Sequence, residues 1–242
     1  MAANADALLE RLASEPEAAG LFLDFDGVLA PIVARPELAV LPPETRAELA
    51  RLAGRYALVA VVSGRAGDDV RARVDVEELV YVGSHGLELV PEAEDWRAAI
   101  ARFAATAPWP RDQIEPKGLG VTFHFRDRPD EAAALRELEP VAAAARAEGL
   151  AVRAGRKILE VLAPLDANKG TAVRHLLATH RLERALAAGD DTTDVDAFAA
   201  LDGLELAVRV AVADAESPPA LREAADLVLG SPAEFLELLR RL

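Results

Sequence analysis

Leu21-Phe22-Leu23-Asp24-Phe25-Asp26-Gly27-Val28 decides the fold of this chain, because an unbroken apolar run stops there at two aspartates one residue apart and then meets a glycine. A run without polar alternation fits a strand covered on both faces, and its end presents Asp24 and Asp26 to one crevice before Gly27 turns the chain. One carboxylate is then set to attack and the other to move protons. Asp-Gly after a strand is also an ordinary turn. The additional aspartate two residues earlier favours chemistry over the turn alone.

Working outward, apolar runs at 21–25, 57–62 and 79–82 alternate with helical patterns at 43–54 and 66–74. The rhythm returns with a helix at 169–180, a strand at 185–188, a helix at 193–201 and a strand at 206–212. Such alternation predicts βαβ units and an α/β fold with one parallel sheet shared by both stretches. Ser231-Pro232-Ala233-Glu234 opens the last helix with a capping-box pattern and proline at its first position.

The intervening segment reads differently and predicts an inserted smaller domain at 92–163, with the core formed by 1–91 and 164–242. Val121, Phe123 and Phe125 alternate with Thr122, His124 and Arg126, which gives one dry and one wet strand face. An alanine-rich helix is expected over 131–148, kinked or interrupted by Pro140, and a further strand over 157–162.

The 242 residues carry 27 Lys+Arg against 41 Asp+Glu, a formal charge of -14 that repels both a polyphosphate backbone and an anionic membrane surface. Nucleic acid and membrane are therefore not expected partners. With no cysteine, thiolate metal sites are excluded and any metal must take oxygen or imidazole ligands. The first residues lack a basic start before an apolar stretch, so a cytoplasmic protein is expected, and the sequence is compatible with a monomer.

In an open parallel sheet, ligands sit beyond the carboxyl ends of the strands. The second strand ends in Ser63-Gly64-Arg65, whose hydroxyl and backbone amides can bind phosphate oxygens. The run at 185–188 ends in Gly189-Asp190-Asp191-Thr192-Thr193-Asp194, a carboxylate cluster suited to Mg2+. Lys169, at a helix start in Asn168-Lys169-Gly170, opposes the helix dipole and calls for a nearby anion such as phosphate. The pattern implies phosphoryl transfer. Asp24 attacks phosphorus, Asp26 exchanges protons with leaving oxygen and water, and Ser63 and Lys169 neutralise the phosphoryl oxygens. Asp24, Asp26, Asp190 and Asp191 are the candidate Mg2+ set.

These elements in this order resemble the haloacid dehalogenase superfamily of phosphatases and, more closely, trehalose-6-phosphate phosphatases. The closer resemblance rests on Asp24 to Val33, Val62-Ser63-Gly64-Arg65, Gly83-Ser84-His85-Gly86-Leu87-Glu88, Ile114-Glu115-Pro116-Lys117 leading to His124-Phe125-Arg126, Asn168-Lys169-Gly170, and Gly189 to Phe198. It implies a Rossmann-like core with an inserted α/β cap, and trehalose 6-phosphate as substrate. On the family pattern Lys117, His124, Arg126 and Glu160 are the sugar contacts of the cap, with His85 and Glu88 near the rim of the core. Read from its strand alone, Glu160 is either a ligand in a cleft or an edge residue, and His85 either a contact or a structural histidine. Val28 stands where the family usually has threonine, Val195 where it has an acidic residue, Pro116 often where it has aspartate, and Phe125 often where it has tyrosine. A phosphatase for another glycosyl phosphate, such as sucrose 6-phosphate or glucosylglycerol phosphate, or a catalytically silent sugar-phosphate-binding domain are the alternatives.

Overall fold

Apolar residues on both faces make a strand that helices must cover, and β1 (Ala19–Leu23) is buried along its whole length. The computed structural model describes residues 2–33, 35–125, 128, 130–155, 157–214 and 217–242. The chain divides into two units, Met1–Gly86 with Ala167–Leu242, and Leu87–Asp166. Around β1 the first unit contributes α1 (Ala2–Ser14), α2 (Pro43–Ala53), β2 (Leu58–Val62), α3 (Gly67–Val74) and β3 (Val80–Val82). The second unit follows with α4 (Arg97–Thr106), β4 (Ile114–Pro116), β5 (Gly120–His124), α5 (Glu131–Ala147), β6 (Ala151–Gly155) and β7 (Ile158–Leu162). The first unit then resumes with α6 (Lys169–His180), β8 (Arg184–Gly189), α7 (Thr192–Ala199), β9 (Leu206–Val212), α8 (Pro219–Ala224), β10 (Leu227–Leu229) and α9 (Pro232–Leu239).

The first unit's six strands pair in parallel in the order β10-β9-β8-β1-β2-β3. Leu23 lies beside Val61 on one side and Ala188 on the other, so the loops after β1, β2 and β8 leave the sheet at one level. Strand order reverses at β1, which makes these loops the place where such a sheet binds ligands. Leu21, Leu23, Val59, Val61, Leu186, Val208 and Val210 fill the core with Leu12, Phe25, Leu49 and Phe235. Each such side chain contributes about 1.5–3 kcal/mol on burial. Ser231 caps α9 as its pattern predicts, accepting from the Glu234 amide at 3.3 Å.

The second unit is a four-stranded antiparallel sheet in the order β4-β5-β7-β6. Val121, Phe123 and Val161 are fully buried on its apolar face, where Phe103 of α4 meets Phe123 edge to face at 6.2 Å. Asp130 caps α5 by accepting from the Ala133 amide at 2.9 Å. Of the two outcomes expected at Pro140, a kink or an interruption, the second does not occur, because α5 runs on through it. Pro140 is exposed, so the carbonyl four residues earlier, which proline cannot bond, can turn to water. No helix among the described residues is long and apolar enough to cross a membrane.

Candidate active site

Asp24 directly follows β1, its amide donating to the Ala188 carbonyl at 3.0 Å and its Oδ1 accepting from the Phe25 amide at 2.8 Å. Its Oδ2 meets Lys169 Nζ at 2.9 Å. Asn168 places that lysine by capping α6, where its side chain accepts from the Thr171 amide and its own amide donates to Thr171 Oγ1. Lys169 is 3% exposed and also meets Asp194 Oδ1 at 2.8 Å. The anions beside it in this structure are thus two carboxylates. Burial alone would strip its proton, but Asp194 and Asp24 outweigh burial and hold the ammonium well above the ordinary lysine range.

The burial of Asp24 works the other way: desolvation, offset in part by Lys169 and reinforced by Asp194, pushes its carboxyl up to about 7. Asp190 is likewise raised well above its ordinary value by burial, then by Asp24 and Asp194. Ligand oxygens of Asp24, Asp190 and Asp194 lie within 4.8 Å of one another. Three carboxylates this close share the single ammonium of Lys169, which leaves negative charge over, and an all-oxygen donor set suits a hard divalent cation. Asp194 is nevertheless occupied: Oδ1 takes Lys169, and Oδ2 accepts the Asp190 and Asp191 amides at 3.0 and 3.1 Å. With three donors bound, Asp194 fixes the loop and the lysine; Asp24, with one donor on each oxygen, keeps more lone pairs to offer a cation, and Asp190 is the other candidate carboxylate.

Two glycines make this crowding feasible. Gly27 has φ +80°, and a Cβ there would lie 2.2 Å from Asp190 Oδ2. At Gly189 a Cβ would come 2.1 Å from the Asp194 Cβ. Any side chain at either position would push the carboxylates apart.

The other sequence-predicted core residues divide by partner. Asp191 caps α7, its Oδ1 accepting from the Thr192 amide at 2.7 Å and from Thr192 Oγ1 at 2.9 Å, so its carboxylate is turned to the helix. Asp26 is held in a fork by Arg65, with Nε to Oδ2 at 2.7 Å and Nη2 to Oδ1 at 2.8 Å. Arg65, 5% exposed, also reaches Asp69 Oδ2 at 3.1 Å and the Pro36 carbonyl at 3.0 Å, and its guanidinium stacks over Phe25. Its donors are committed to protein acceptors, and Ser63, buried beside it, supplies the hydroxyl of this turn. His85 rests on Gly64, where a Cβ would lie 2.6 Å from the ring. Ser84 and His85 both hold left-handed φ values, 51° and 56°, while their amides donate to the Arg65 and Ser63 carbonyls. That is unusual for residues with a Cβ and is backbone strain of the kind stored at functional sites.

In the second unit, Lys117, His124 and Glu160 share the polar face of the sheet. Lys117 Nζ lies 3.4 Å from Glu160 Oε1, and Thr122 Oγ1 donates to the same oxygen at 3.3 Å. His124 Nε2 meets Glu115 Oε2 at 2.8 Å. Arg126 lies outside the described residues. The sequence offers Asp194 as one member of the carboxylate cluster, not as the partner of Lys169, and gives Glu115 no role of its own. Cross-strand spacing on β4 and β5 could have found Glu115, whereas the bonds of Asp194 depend on the folded loop.

The pattern of the family described as trehalose-phosphatase matches residues 22–227, most of the chain. The chain belongs to the trehalose-phosphatase family. A trehalose-phosphate phosphatase of Mycolicibacterium paratuberculosis is 38% identical to this family member over 207 residues, covering 76% of this chain and 51% of that protein. The chain thus spans about half the length of that curated relative. Among solved structures, the C-terminal domain of a C. albicans trehalose-6-phosphate phosphatase superposes with a TM-score of 0.78 at 22% identity, covering 98% of this chain and 96% of that one. A haloacid dehalogenase-like hydrolase from Bacteroides thetaiotaomicron gives 0.60 at 14% identity, covering 93% and 99%. At these identities the likeness is one of fold. It matches the family fold that the sequence motifs imply, a parallel-sheet core with an antiparallel second unit fitting a cap domain.

Proposed function

We propose that this trehalose-phosphatase family member hydrolyses trehalose 6-phosphate to trehalose and phosphate through an aspartyl-phosphate on Asp24, with Mg2+ as its cation. The observation that carries the reading is a buried carboxylate, Asp24, 2.9 Å from the buried Lys169 ammonium at the switch point of the sheet. Asp24 and Asp190, with the Asp26 backbone carbonyl, are the donors for the cation, which would neutralise phosphoryl charge and let an anionic nucleophile approach an anionic ester.

The chain's own groups divide the remaining work. An Asp24 oxygen forms the bond to phosphorus as the bond to the sugar oxygen breaks, and that oxygen takes a proton from Asp26. Asp26 then takes a proton from water, whose oxygen attacks phosphorus and frees the Asp24 carboxylate and inorganic phosphate. Lys169 and the Ser63 hydroxyl face the phosphoryl oxygens. Arg65 aims Asp26 through two parallel N–H···O bonds; the oxygen that carries the proton must give up one of them, and the fork closes again once the proton has been handed over. In this reading the polar face of the second unit, with Lys117, His124 and Glu160, would supply hydrogen-bond donors and acceptors for sugar hydroxyls.

Magnesium-dependent phosphate release is expected from trehalose 6-phosphate and not from sucrose 6-phosphate or glucosylglycerol phosphate. Turnover of none of the three would sink the reading, and preference for another of them would reassign the substrate. Asp24→Asn should lower turnover by roughly 10^4-fold or more, the usual cost of a lost nucleophile. A loss below about tenfold would remove Asp24 from that role.

A further inference from the structure

The register of the second unit's sheet places Glu115 opposite Thr122, Thr122 opposite Glu160, and Glu160 opposite Arg153. Directly paired residues point to the same face, so these four side chains form one row across β4, β5, β7 and β6. Lys117 and His124 flank the row, and their bonds draw Glu160 and Glu115 toward the β4 and β5 end.

Arg153, at the β6 end, is different. Among the described residues its Nη1 is buried with no hydrogen-bond partner. A guanidinium cannot shed its charge, so unlike a histidine or a lysine it gains no relief by losing a proton. A donor removed from water and left unmatched costs about 1–3 kcal/mol. In a folded chain such a group calls for an acceptor from elsewhere.

We propose that Arg153 is a specificity-determining residue for the glycosyl part of the substrate, its guanidinium donating to a hydroxyl or ring oxygen that lies along this row. The inference rests on the functional reading given above. A sugar brings neutral oxygen acceptors and hydroxyl donors together, which suits a row alternating Lys117, Glu160 and Arg153: the cations donate and the carboxylate accepts. The fork of Arg153 can hold two oxygens at once, a geometry lysine does not reproduce.

Steady-state kinetics of Arg153→Ala, Arg153→Gln and Arg153→Lys in the full chain test this, with trehalose 6-phosphate and 4-nitrophenyl phosphate as parallel substrates. The expected result is a KM for trehalose 6-phosphate raised roughly tenfold or more in all three, the size of one lost bond to a charged group. Turnover number and 4-nitrophenyl phosphate kinetics should stay close to wild type, and the ligand-free alanine and glutamine variants should melt no lower than wild type. A KM within about twofold of wild type in the alanine and glutamine variants, or recovery by lysine alone, would overturn the inference, the latter assigning Arg153 to charge balance with Glu160. A parallel loss on 4-nitrophenyl phosphate would make its role structural. Wild-type turnover of 4-nitrophenyl phosphate but of no glycosyl phosphate would overturn the functional reading itself, a result independent of any Arg153 variant.

Discussion

Folding raises the Asp24 carboxyl from 3.8 to about 7, so the folded, cation-free chain binds a proton that the unfolded chain releases. Stability attributable to Asp24 therefore falls as pH rises from about 4 to about 7 and stays low above that. In the presence of a chelator, the stability of wild type relative to Asp24→Asn should decline across that window, and magnesium should restore wild type most strongly at pH near 8. A difference that is flat with pH, followed by denaturant melts, would contradict the electrostatics of the pair. For Arg65, replacement by lysine removes the fork that aims Asp26. Turnover of a sugar phosphate should fall by roughly 10^2-fold, the scale of lost acid catalysis. Hydrolysis of 4-nitrophenyl phosphate, whose leaving group needs no proton, should fall much less. Equal losses on both substrates would place the effect on the shared water step or on the fold and not on protonation of the leaving group.

Two short loops, 63–65 after β2 and 84–86 after β3, act as one piece because the amides of Ser84 and His85 bond back to Arg65 and Ser63. Gly64→Ala should cost about 1–3 kcal/mol, since its methyl meets the His85 ring and overpacks the site. His85→Ala in the same chain should recover much of that loss. A double-mutant cycle by thermal melts that proves additive would separate the loops. The elements themselves are largely legible: the helix at 169–180 and the strand at 206–212 match α6 and β9 to the residue, because capping and an apolar run interrupted only by Arg209 are local signals. Strands β4, β6 and β10, three to five residues each with mixed or exposed faces, gave no comparable pattern. Asp24, Lys169 and Asp190 could be read as a group because each follows a strand or opens a helix at the same sheet edge. The pairing of Arg65 with Asp26 could not, since 39 positions separate them and only the folded loops bring them together.

Two units with separate sheets and separate apolar interiors need not lose structure together. Phe123 is fully buried against Phe103 in the second unit, so Phe123→Ala should remove about 3–5 kcal/mol there. Calorimetry should show a transition moved to lower temperature ahead of a second one near the wild-type position, while hydrogen exchange in β1 and β8 stays slow. One cooperative transition shifted as a whole would mean that the units melt as a single body. The sheet order also bears on how the protein is made. Ala19 of β1 pairs with Arg184 of β8, and all of Leu87–Asp166 is translated between them. On the ribosome the strand that leads into Asp24 must therefore wait with one flank bare until most of the polypeptide has emerged, while the contiguous Leu87–Asp166 stretch can close its own sheet first. The nascent chain is thus most vulnerable to aggregation through β1, and translation pauses or holdase binding should matter most in the interval before β8 leaves the exit tunnel.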